Sequence, residues 1–585
     1  MTPPEEMETI RIWQDHWFWG AFRQNWWTYG QIILAAVMIN FFSLASSIFI
    51  MTVYDRVIPN NAVDSLIALS IGMFIVISFD FLLKFLRAYF IDTAGQNVDL
   101  TVAKKIFDRI MKLKLAKQRG STGGLVNVIR EFESIRDFCT SATLATVVDV
   151  PFIILFIGVI WIIGGPIALV PALAVPLVLI IGIMIQPFLS RFSKEGMQEG
   201  GNKQSTLVEM VSGLETLKTL GTNKLFHDRW EKAVENHATV GMKSRMFSQI
   251  AINSAASAQQ ITQVGIVAFG FILVMKGELS IGGLIACVII AGRCLAPLGQ
   301  LANLLTRYNH AKTAYASLDK LMSQENEDVS HRDFVRRNNI RGKIEFKNVV
   351  FKYPDQPIRA LDNVSFVLNP GEKIGVLGKV GSGKSTILRL AAGLYEPKEG
   401  AVLIDDTDIR QIIPDDIRGN MAVVLQDVVL FSGSIKENIT MGQADISDED
   451  ILHASQVSGV QDFLGAVPGG YDVKLRDRGD GLSGGQKQAL AIARAIARKA
   501  PIVMMDEPSS SMDTNSEMKL ISRLKKELKD KTFLIVTHRP SMLELVDKII
   551  VIDQGKVVAQ GPRDDVLKFL TSKNEAAIPD GLKKG

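Results

Sequence analysis

Residues 378–386 read Gly-Lys-Val-Gly-Ser-Gly-Lys-Ser-Thr and follow a short apolar run typical of a strand. This pattern predicts a glycine-rich turn that wraps around phosphate groups and opens a helix. Gly381 and Gly383 let the backbone approach the phosphates, Lys384 would neutralise their charge, and Ser385 would offer its hydroxyl to Mg²⁺. The predicted ligands of a nucleotide in this turn are Gly378, Gly381, Ser382, Gly383, Lys384, Ser385 and Thr386.

A second apolar run, residues 502–505, ends in the carboxylates Asp506 and Glu507. A buried strand that delivers an acid at its carboxyl end complements a phosphate-binding turn. Asp506 would join the shell of Mg²⁺, and Glu507 would act as the general base on the attacking water. Taken alone, the pattern also fits a strand that ends in surface acids, but the preceding turn favours a nucleotide hydrolase.

Between these motifs, residues 482–486 read Leu-Ser-Gly-Gly-Gln and precede a predicted helix. With the turn and the Asp-Glu pair in this order, the second half of the chain resembles the cassette of ATP-binding cassette exporters. The resemblance implies that two cassettes enclose two ATP molecules and that the pentapeptide of one cassette faces the phosphate-binding turn of the other. Ser483 and the amides of Gly484 and Gly485 would then form a second anion site, with Gln486 beside them.

The same resemblance implies four further positions. Tyr353 would stack on adenine, Gln426 would contact Mg²⁺ and the membrane domain, and His538 would contact the γ-phosphate beside the base. Residues 510–513 resemble the loop that follows the base in this family. Read singly, these positions also fit a core tyrosine, a surface glutamine, a satisfied histidine and a turn.

The chain has 585 residues, of which 47% are hydrophobic and 22% charged, and its net charge is +4. The mean hydropathy of +0.19 indicates a membrane part joined to a soluble part and argues against disorder. Cys139, Cys287 and Cys294 are too few and too irregularly spaced for a disulfide framework or a structural zinc site. The predicted fold is an all-α transmembrane domain followed by an α/β nucleotide-binding domain, with six spans near residues 31–53, 64–86, 142–163, 166–188, 252–275 and 280–302.

Lys and Arg concentrate in the long segments between spans 2 and 3 and between spans 4 and 5, which places these segments in the cytoplasm. We expect helices to continue through them and to end in transverse helices near residues 126–136 and 217–224 that dock on a cassette. The predicted division is an interfacial segment (1–30), a transmembrane domain (31–323), a linker (324–341), the cassette (342–570) and a tail (571–585).

The tryptophans of the N-terminal segment and the ionisable residues inside the spans support two further predictions. The first segment holds Trp13, Trp17, Trp19, Trp26 and Trp27, which predict a helix at the headgroup level, with packing on span 2 as the alternative. Ionisable residues inside spans either pair across helices or line a transport path. These are Asp80, Lys84, Asp149 and Arg293, whereas Arg87 is expected at or beyond the interface.

Residues 51–60 and 131–138 resemble type I secretion ATPases, and residues 479–481 and 507–513 resemble the branch of them that exports RTX toxins and giant adhesins. The resemblance implies a homodimer of half-transporters in a bacterial inner membrane, with the cassettes in the cytoplasm. It also implies a periplasmic membrane-fusion adaptor, a TolC-like outer-membrane channel and a secreted protein substrate with a C-terminal signal. About 30 residues precede the first span, so we expect no peptidase-like domain there, unless the chain was trimmed.

Two other functions remain open from the sequence. An exporter of lipid, drug or small peptide would use the same scaffold and the same ATP motifs. A non-transporting ATPase, such as a regulator or a cassette acting on nucleic acid, is disfavoured by the six spans, and no basic stripe supports it.

Overall fold

The computed structural model describes residues 16–117, 129–130, 132–140, 146, 148–221, 223–327, 334–354, 356–465 and 469–576. Contacts group these residues into two units. The first lies within Met1–Met111 and Arg119–Gln324, and the second within Lys112–Gln118 and Glu325–Gly585.

The described part of the first unit is helical. Its α-helices are α1 (Trp19–Gln24), α2 (Trp26–Thr52), α3 (Val63–Met111), α4 (Phe132–Thr140), α5 (Phe152–Gly164), α6 (Leu169–Ser212), α7 (Leu214–Leu220), α8 (Lys224–Met275) and α9 (Ile281–Met322). A π-helical segment, Val53–Val57, continues α2. Asp55 in this segment accepts hydrogen bonds from Ser280 Oγ (2.6 Å) and Gly282 N (2.9 Å) at the start of α9.

Among the described residues, five segments are long and apolar enough to cross a membrane: Trp26–Val57, Val63–Met111, Phe152–Ser212, Lys224–Met275 and Ile281–Gln300. Phe152–Ser212 holds two helices, α5 and α6, because the chain reverses at Gly165, where φ is +53°. The predicted spans 3 and 4 both fall in this segment, although residues 142–145 and 147 of span 3 lie outside the described residues. The prediction of a helical, multi-pass transmembrane domain is therefore confirmed.

Helices α3, α6, α8 and α9 are 49, 44, 52 and 42 residues long, so each continues well beyond its predicted span. α7 falls close to the predicted transverse helix at 217–224. The predicted transverse helix near residues 126–136 stays a prediction. α3 already ends at Met111, and a 3₁₀ turn follows at Leu115–Lys117, in the second unit. Of the predicted 126–136 segment, residues 126–128 and 131 lie outside the described residues, and Phe132 begins α4, which packs on α3 and α9.

The ionisable residues of the spans are largely paired. Asp149 receives hydrogen bonds from Asn40 Nδ2 (3.0 Å) and from the Arg87 guanidinium (3.2 and 3.3 Å). This contact fits the first alternative for Asp149, pairing across helices. Its partner is Arg87, which was expected at or beyond the interface. Lys84 Nζ lies 2.6 Å from Asp80 Oδ2, as their spacing along one helix predicts. Arg293 is half-buried in α9.

The N-terminal aromatic residues divide into two groups. Trp17 is buried, donates from Nε1 to Asp319 Oδ1 (3.0 Å) and stacks on Tyr315 of α9 (5.5 Å between centroids). Trp26 and Trp27 are 61% and 71% exposed, so an interfacial position for them stays a prediction. Trp13 lies outside the described residues.

The described part of the second unit is an α/β fold built on three sheets. The strands are β1 (Ile344–Phe351), β2 (Leu361–Leu368), β3 (Lys373–Gly378), β4 (Glu399–Ile404), β5 (Thr407–Asp408), β6 (Met421–Val424), β7 (Gly433–Ser434), β8 (Lys474–Leu475), β9 (Ile502–Asp506), β10 (Thr532–Val536), β11 (Lys548–Asp553) and β12 (Lys556–Pro562). The sheets have the orders β2-β1-β4-β5, β12-β11-β3-β10-β9-β6 and β7-β8. In the six-stranded sheet only β11 and β12 pair in antiparallel fashion.

Helices of this unit are α10 (Lys384–Ala391), α11 (Pro414–Gly419), α12 (Ile435–Thr440), α13 (Asp448–Ser458), α14 (Val460–Leu464), α15 (Gly484–Ala497), α16 (Thr514–Glu527) and α17 (Arg563–Ala576). Every residue of β9 and β10 is buried, which explains their continuous apolar sequences. The carboxyl ends of β3, β10 and β9 lie side by side, and ligands of parallel α/β sheets bind at this edge.

Candidate nucleotide-binding and hydrolysis site

The phosphate-binding turn connects β3 to α10. Gly383 precedes the first residue of the helix with φ of +101°, and a Cβ there would collide with the Ala360 carbonyl, so only glycine fits. Lys384 Nζ crosses the turn and donates to the carbonyl oxygens of Gly378 (2.9 Å) and Lys379 (2.8 Å). Burial lowers the pKa of Lys384, while Glu507 and Asp506 oppose this shift. The turn is thus preformed, with its cation in place.

Asp506 and Glu507 end β9 at the same sheet edge and are only 4% and 9% exposed. Burial raises the pKa of both carboxyl groups, and a hydrogen bond from Ser385 partly offsets this shift at Asp506. Asp506 Oδ1 and Glu507 Oε1 are buried without a hydrogen-bond partner among the described residues. Because buried polar atoms are normally satisfied, these oxygens are poised for groups that arrive with a ligand.

Glu507, the predicted general base, and His538 lie next to each other. Glu507 has φ of +48° and donates its backbone N–H to Val536 O (2.8 Å). The backbone N–H of His538 donates to Glu507 Oε2 (3.3 Å), and His538 Nε2 lies 3.5 Å from Glu507 Oε1. The His538 side chain is 49% exposed and so remains accessible to a ligand.

The pentapeptide starts α15 with a capping box. Ser483 Oγ accepts from Gln486 N (3.3 Å), and Gln486 Oε1 accepts from Ser483 N (2.8 Å). A Cβ on Gly484 would come within 2.9 Å of Ser511 Cβ, so the glycine lets α15 approach the loop after Glu507. Ser483 and Gly484 are exposed, whereas Gly485 is half-buried.

Tyr353 and Gln426 flank the site. The Tyr353 hydroxyl lies 3.1 Å from Thr386 Oγ1 and accepts from Arg389 Nη1 (3.0 Å), which places its ring beside α10. Gln426 is exposed, two residues beyond the end of β6. Its contact with Mg²⁺ and the adenine contact of Tyr353 stay predictions.

Sequence reasoning missed three residues around the loop that follows Glu507, of which Gln488 and Glu517 are buried and Arg539 is half-buried. Gln488 of α15 bonds to this loop, as does Arg539, which donates to Ser510 O (3.1 Å) and Met512 O (3.2 Å). Arg539 also pairs with Glu517, which is 3% exposed. A glutamine before the apolar run of α15 was a usable signal for Gln488, but nothing in the sequence marks the partners of Arg539.

Asp506→Asn is expected to stabilise the nucleotide-free protein. Burial raises the pKa of Asp506 above its unfolded value, so stability is lost as pH rises through that raised pKa. At pH 7 the substitution removes an ionised buried carboxylate and should raise Tm by about 1–3 °C. The gain should fade toward pH 4 in thermal unfolding measured over pH, and a lower Tm at pH 7 would contradict it.

Two family models match this chain. A family model described as the ABC transporter transmembrane region matches residues 29–297, and one described as ABC transporter matches residues 361–510. Together they cover more than half of the chain. The chain belongs to the ABC transporter family. This assignment confirms the predicted helical membrane domain, the cassette, and ATP hydrolysis coupled to transport.

Relatives of this transporter include proteins of toxin secretion. It is 31% identical over 539 residues to the alpha-hemolysin translocation ATP-binding protein HlyB of Escherichia coli, across 92% of this chain and 76% of that protein. It is 30% identical over 554 residues to the toxin RTX-I translocation ATP-binding protein of Actinobacillus pleuropneumoniae, across 94% and 77%. A solved bacterial Atm1-family ABC exporter with ATP bound superposes with a TM-score of 0.85 at 25% identity, covering 94% of this chain and 98% of that one. The resemblance to RTX-type secretion ATPases is confirmed.

Proposed function

We propose that this transporter drives export of a protein substrate across a bacterial inner membrane as the ATPase of a type I secretion system. The observation that supports this most is its similarity, over nine tenths of its length, to proteins named for toxin translocation. The ends of β3, β9 and β10 also bring Lys384, Asp506, Glu507 and His538 to one sheet edge, which supports a hydrolytic role. An exporter of lipid, drug or small peptide is the second candidate, since the solved exporter of similar fold is not named for a protein cargo.

Within the site, we assign phosphate binding to the amides of the turn and to Lys384. Its ammonium group now bonds to two carbonyl oxygens, 2.8 and 2.9 Å away, and a phosphate would replace them with stronger charge-assisted bonds. Ser483 and the following amides would meet a phosphate carried by a second copy.

The residues also fit a divalent cation. Asp506 offers a buried oxygen without a partner, and the Ser385 hydroxyl already bonds to the same carboxylate. Mg²⁺ bound by Asp506, Ser385 and Gln426 would neutralise phosphate charge. Hard oxygen ligands of this kind are those that Mg²⁺ prefers.

Glu507 takes the role of general base. Its carboxylate would accept a proton from water as that water attacks the γ-phosphorus in line, and burial raises its pKa toward the range useful at neutral pH. The backbone N–H of His538 orients one carboxylate oxygen, and the His538 ring, beside the other oxygen, can contact the γ-phosphate.

The assembly we propose is a homodimer, because the chain supplies one cassette while the family arrangement needs two. Membrane lipid surrounds the spans, the cassettes lie in the cytoplasm, and no nucleic acid is involved. A periplasmic membrane-fusion adaptor and a TolC-like outer-membrane channel would complete the path for the secreted protein.

Secretion in cells tests the proposal. Cells that express this transporter with its adaptor and channel are compared with cells that carry Lys384→Ala, and the culture medium is analysed by mass spectrometry. A large protein that appears only with intact Lys384 supports protein export. Absence of such a protein, together with ATP hydrolysis stimulated by lipids or small peptides, would replace it with the second candidate.

A further inference from the structure

Both the nitrogen and the oxygen of the Gln488 side-chain amide form hydrogen bonds with the loop that carries the general base. It is 5% exposed, and Nε2 donates to Glu507 O (3.3 Å) and to Ser510 Oγ (2.5 Å). Its Oε1 accepts the backbone N–H of Ser511 (3.0 Å). All three bonds go to residues 507–512, which we call the base-bearing loop.

A purely structural role would not require an amide at this position. The next residues of α15, from Ala489 to Ala493, are buried and apolar, so an apolar side chain would suit the core equally well. Burying an amide is unfavourable unless its hydrogen bonds are made, and here they are made with one loop. The bonds therefore fix the position of that loop relative to α15.

The conformation of Glu507 shows why this position matters. Its φ of +48° is a left-handed conformation that a residue with a Cβ adopts only when its surroundings impose it. The Val536 carbonyl holds its N–H, Gln488 holds its C=O, and the His538 N–H holds its carboxylate. Releasing the C=O would free the peptide that follows the base and shift the carboxylate.

Gln488 lies on α15, the same helix that the pentapeptide starts. Ser483, which caps the helix, and Gln488 are five positions apart, about 7.5 Å along the axis. We propose that Gln488 is a positioning residue that links the signature pentapeptide to Glu507 of the same cassette. This rests on the proposed homodimer, in which the pentapeptide meets ATP held by the partner copy. Nucleotide at one site then sets the geometry of the base at the other site.

Steady-state hydrolysis by the full-length transporter in lipid nanodiscs tests the link. Gln488→Met keeps the length and approximate volume of the side chain but removes all three hydrogen bonds. We expect kcat to fall about 10–100-fold, the order caused by misplacing a catalytic group by about 1 Å. The KM for ATP should change less than about threefold, and the Hill coefficient for ATP should fall from above one in the parent protein to about one.

A matched control separates this effect from damage to the helix. Ile492→Val alters a fully buried residue one turn further along α15 whose apolar side chain makes none of the three hydrogen bonds, and it should leave kcat and the Hill coefficient near those of the parent. An unchanged kcat in Gln488→Met, an equal loss in Ile492→Val, or a Hill coefficient of one in the parent would each overturn the inference. Failure of protein export gives a different result, because no secreted protein would then appear while hydrolysis by the parent and the effect of Gln488→Met stay the same. Failure of the base assignment is also distinguishable, because hydrolysis would then persist in Glu507→Gln.

Discussion

Glu507→Gln is expected to abolish steady-state ATP turnover while ATP still binds. The amide has the shape of the carboxylate but cannot take a proton from water, and loss of a general base typically lowers a rate about 10²–10⁴-fold. Lys384 and the phosphate-binding turn are unaltered, so the Kd for ATP should stay within about threefold of the parent. In the proposed homodimer, hydrolysis would reset the cassettes, so the ATP-bound dimer should accumulate in this variant.

Two measurements check this expectation. Phosphate release gives kcat, and cross-linking between the cassettes in the presence of Mg·ATP reports the closed dimer. Glu527→Gln is a suitable control, because this partly buried carboxylate bonds to His453 and Lys531 rather than to the site. Normal hydrolysis in Glu507→Gln would remove Glu507 from the role of base.

Candidate residues of the nucleotide site could be named from the sequence because each motif is a short, continuous stretch. The turn at 378–386, the carboxylates 506–507 and the pentapeptide at 482–486 each carry their chemistry within a few positions. The order of parallel strands then brings their ends to one edge. His538 was found in the same way, at the end of β10.

Contacts between distant segments were not predictable. Arg539 holds the carbonyls of Ser510 and Met512 only because β10 lies beside β9, and a pattern of residue types does not reveal which carbonyls a guanidinium reaches. The pairing of Arg87 with Asp149 is similar, since the two residues are 62 positions apart on different helices. Side-chain partners of this kind depend on packing and not on local sequence.

In the membrane part, hydropathy located the spans but not the helix ends. Predicted span 2 stops at residue 86, whereas α3 runs to Met111, because polar helix-forming residues continue the same hydrogen-bonded ladder after the apolar run. The 3₁₀ turn at Leu115–Lys117 was not predicted, because these three residues have no apolar periodicity to mark them.

Lys384→Ala is expected to weaken ATP binding itself and so to remove all export. The ammonium group is the cation at the centre of the turn, where it satisfies two carbonyl oxygens now and would satisfy phosphate oxygens in the complex. Losing charge-assisted hydrogen bonds worth about 1.5–3 kcal/mol should raise the Kd for ATP about 10–150-fold. Titration of the purified transporter with a fluorescent ATP analogue measures this directly.

Lys379→Ala provides the charge control for that titration. Lys379 is exposed in the same turn and contributes its backbone carbonyl to Lys384, so its side chain can be removed while that contact stays. Both variants lose one positive charge at nearly the same place, so general electrostatic attraction of ATP changes equally in the two. If Lys379→Ala weakened binding as much as Lys384→Ala, the effect would come from net charge and not from the contacts inside the turn. A much larger loss in Lys384→Ala would instead locate the binding energy in the ammonium group that crosses the turn, and the loss of secretion in that variant would then follow from lost nucleotide binding.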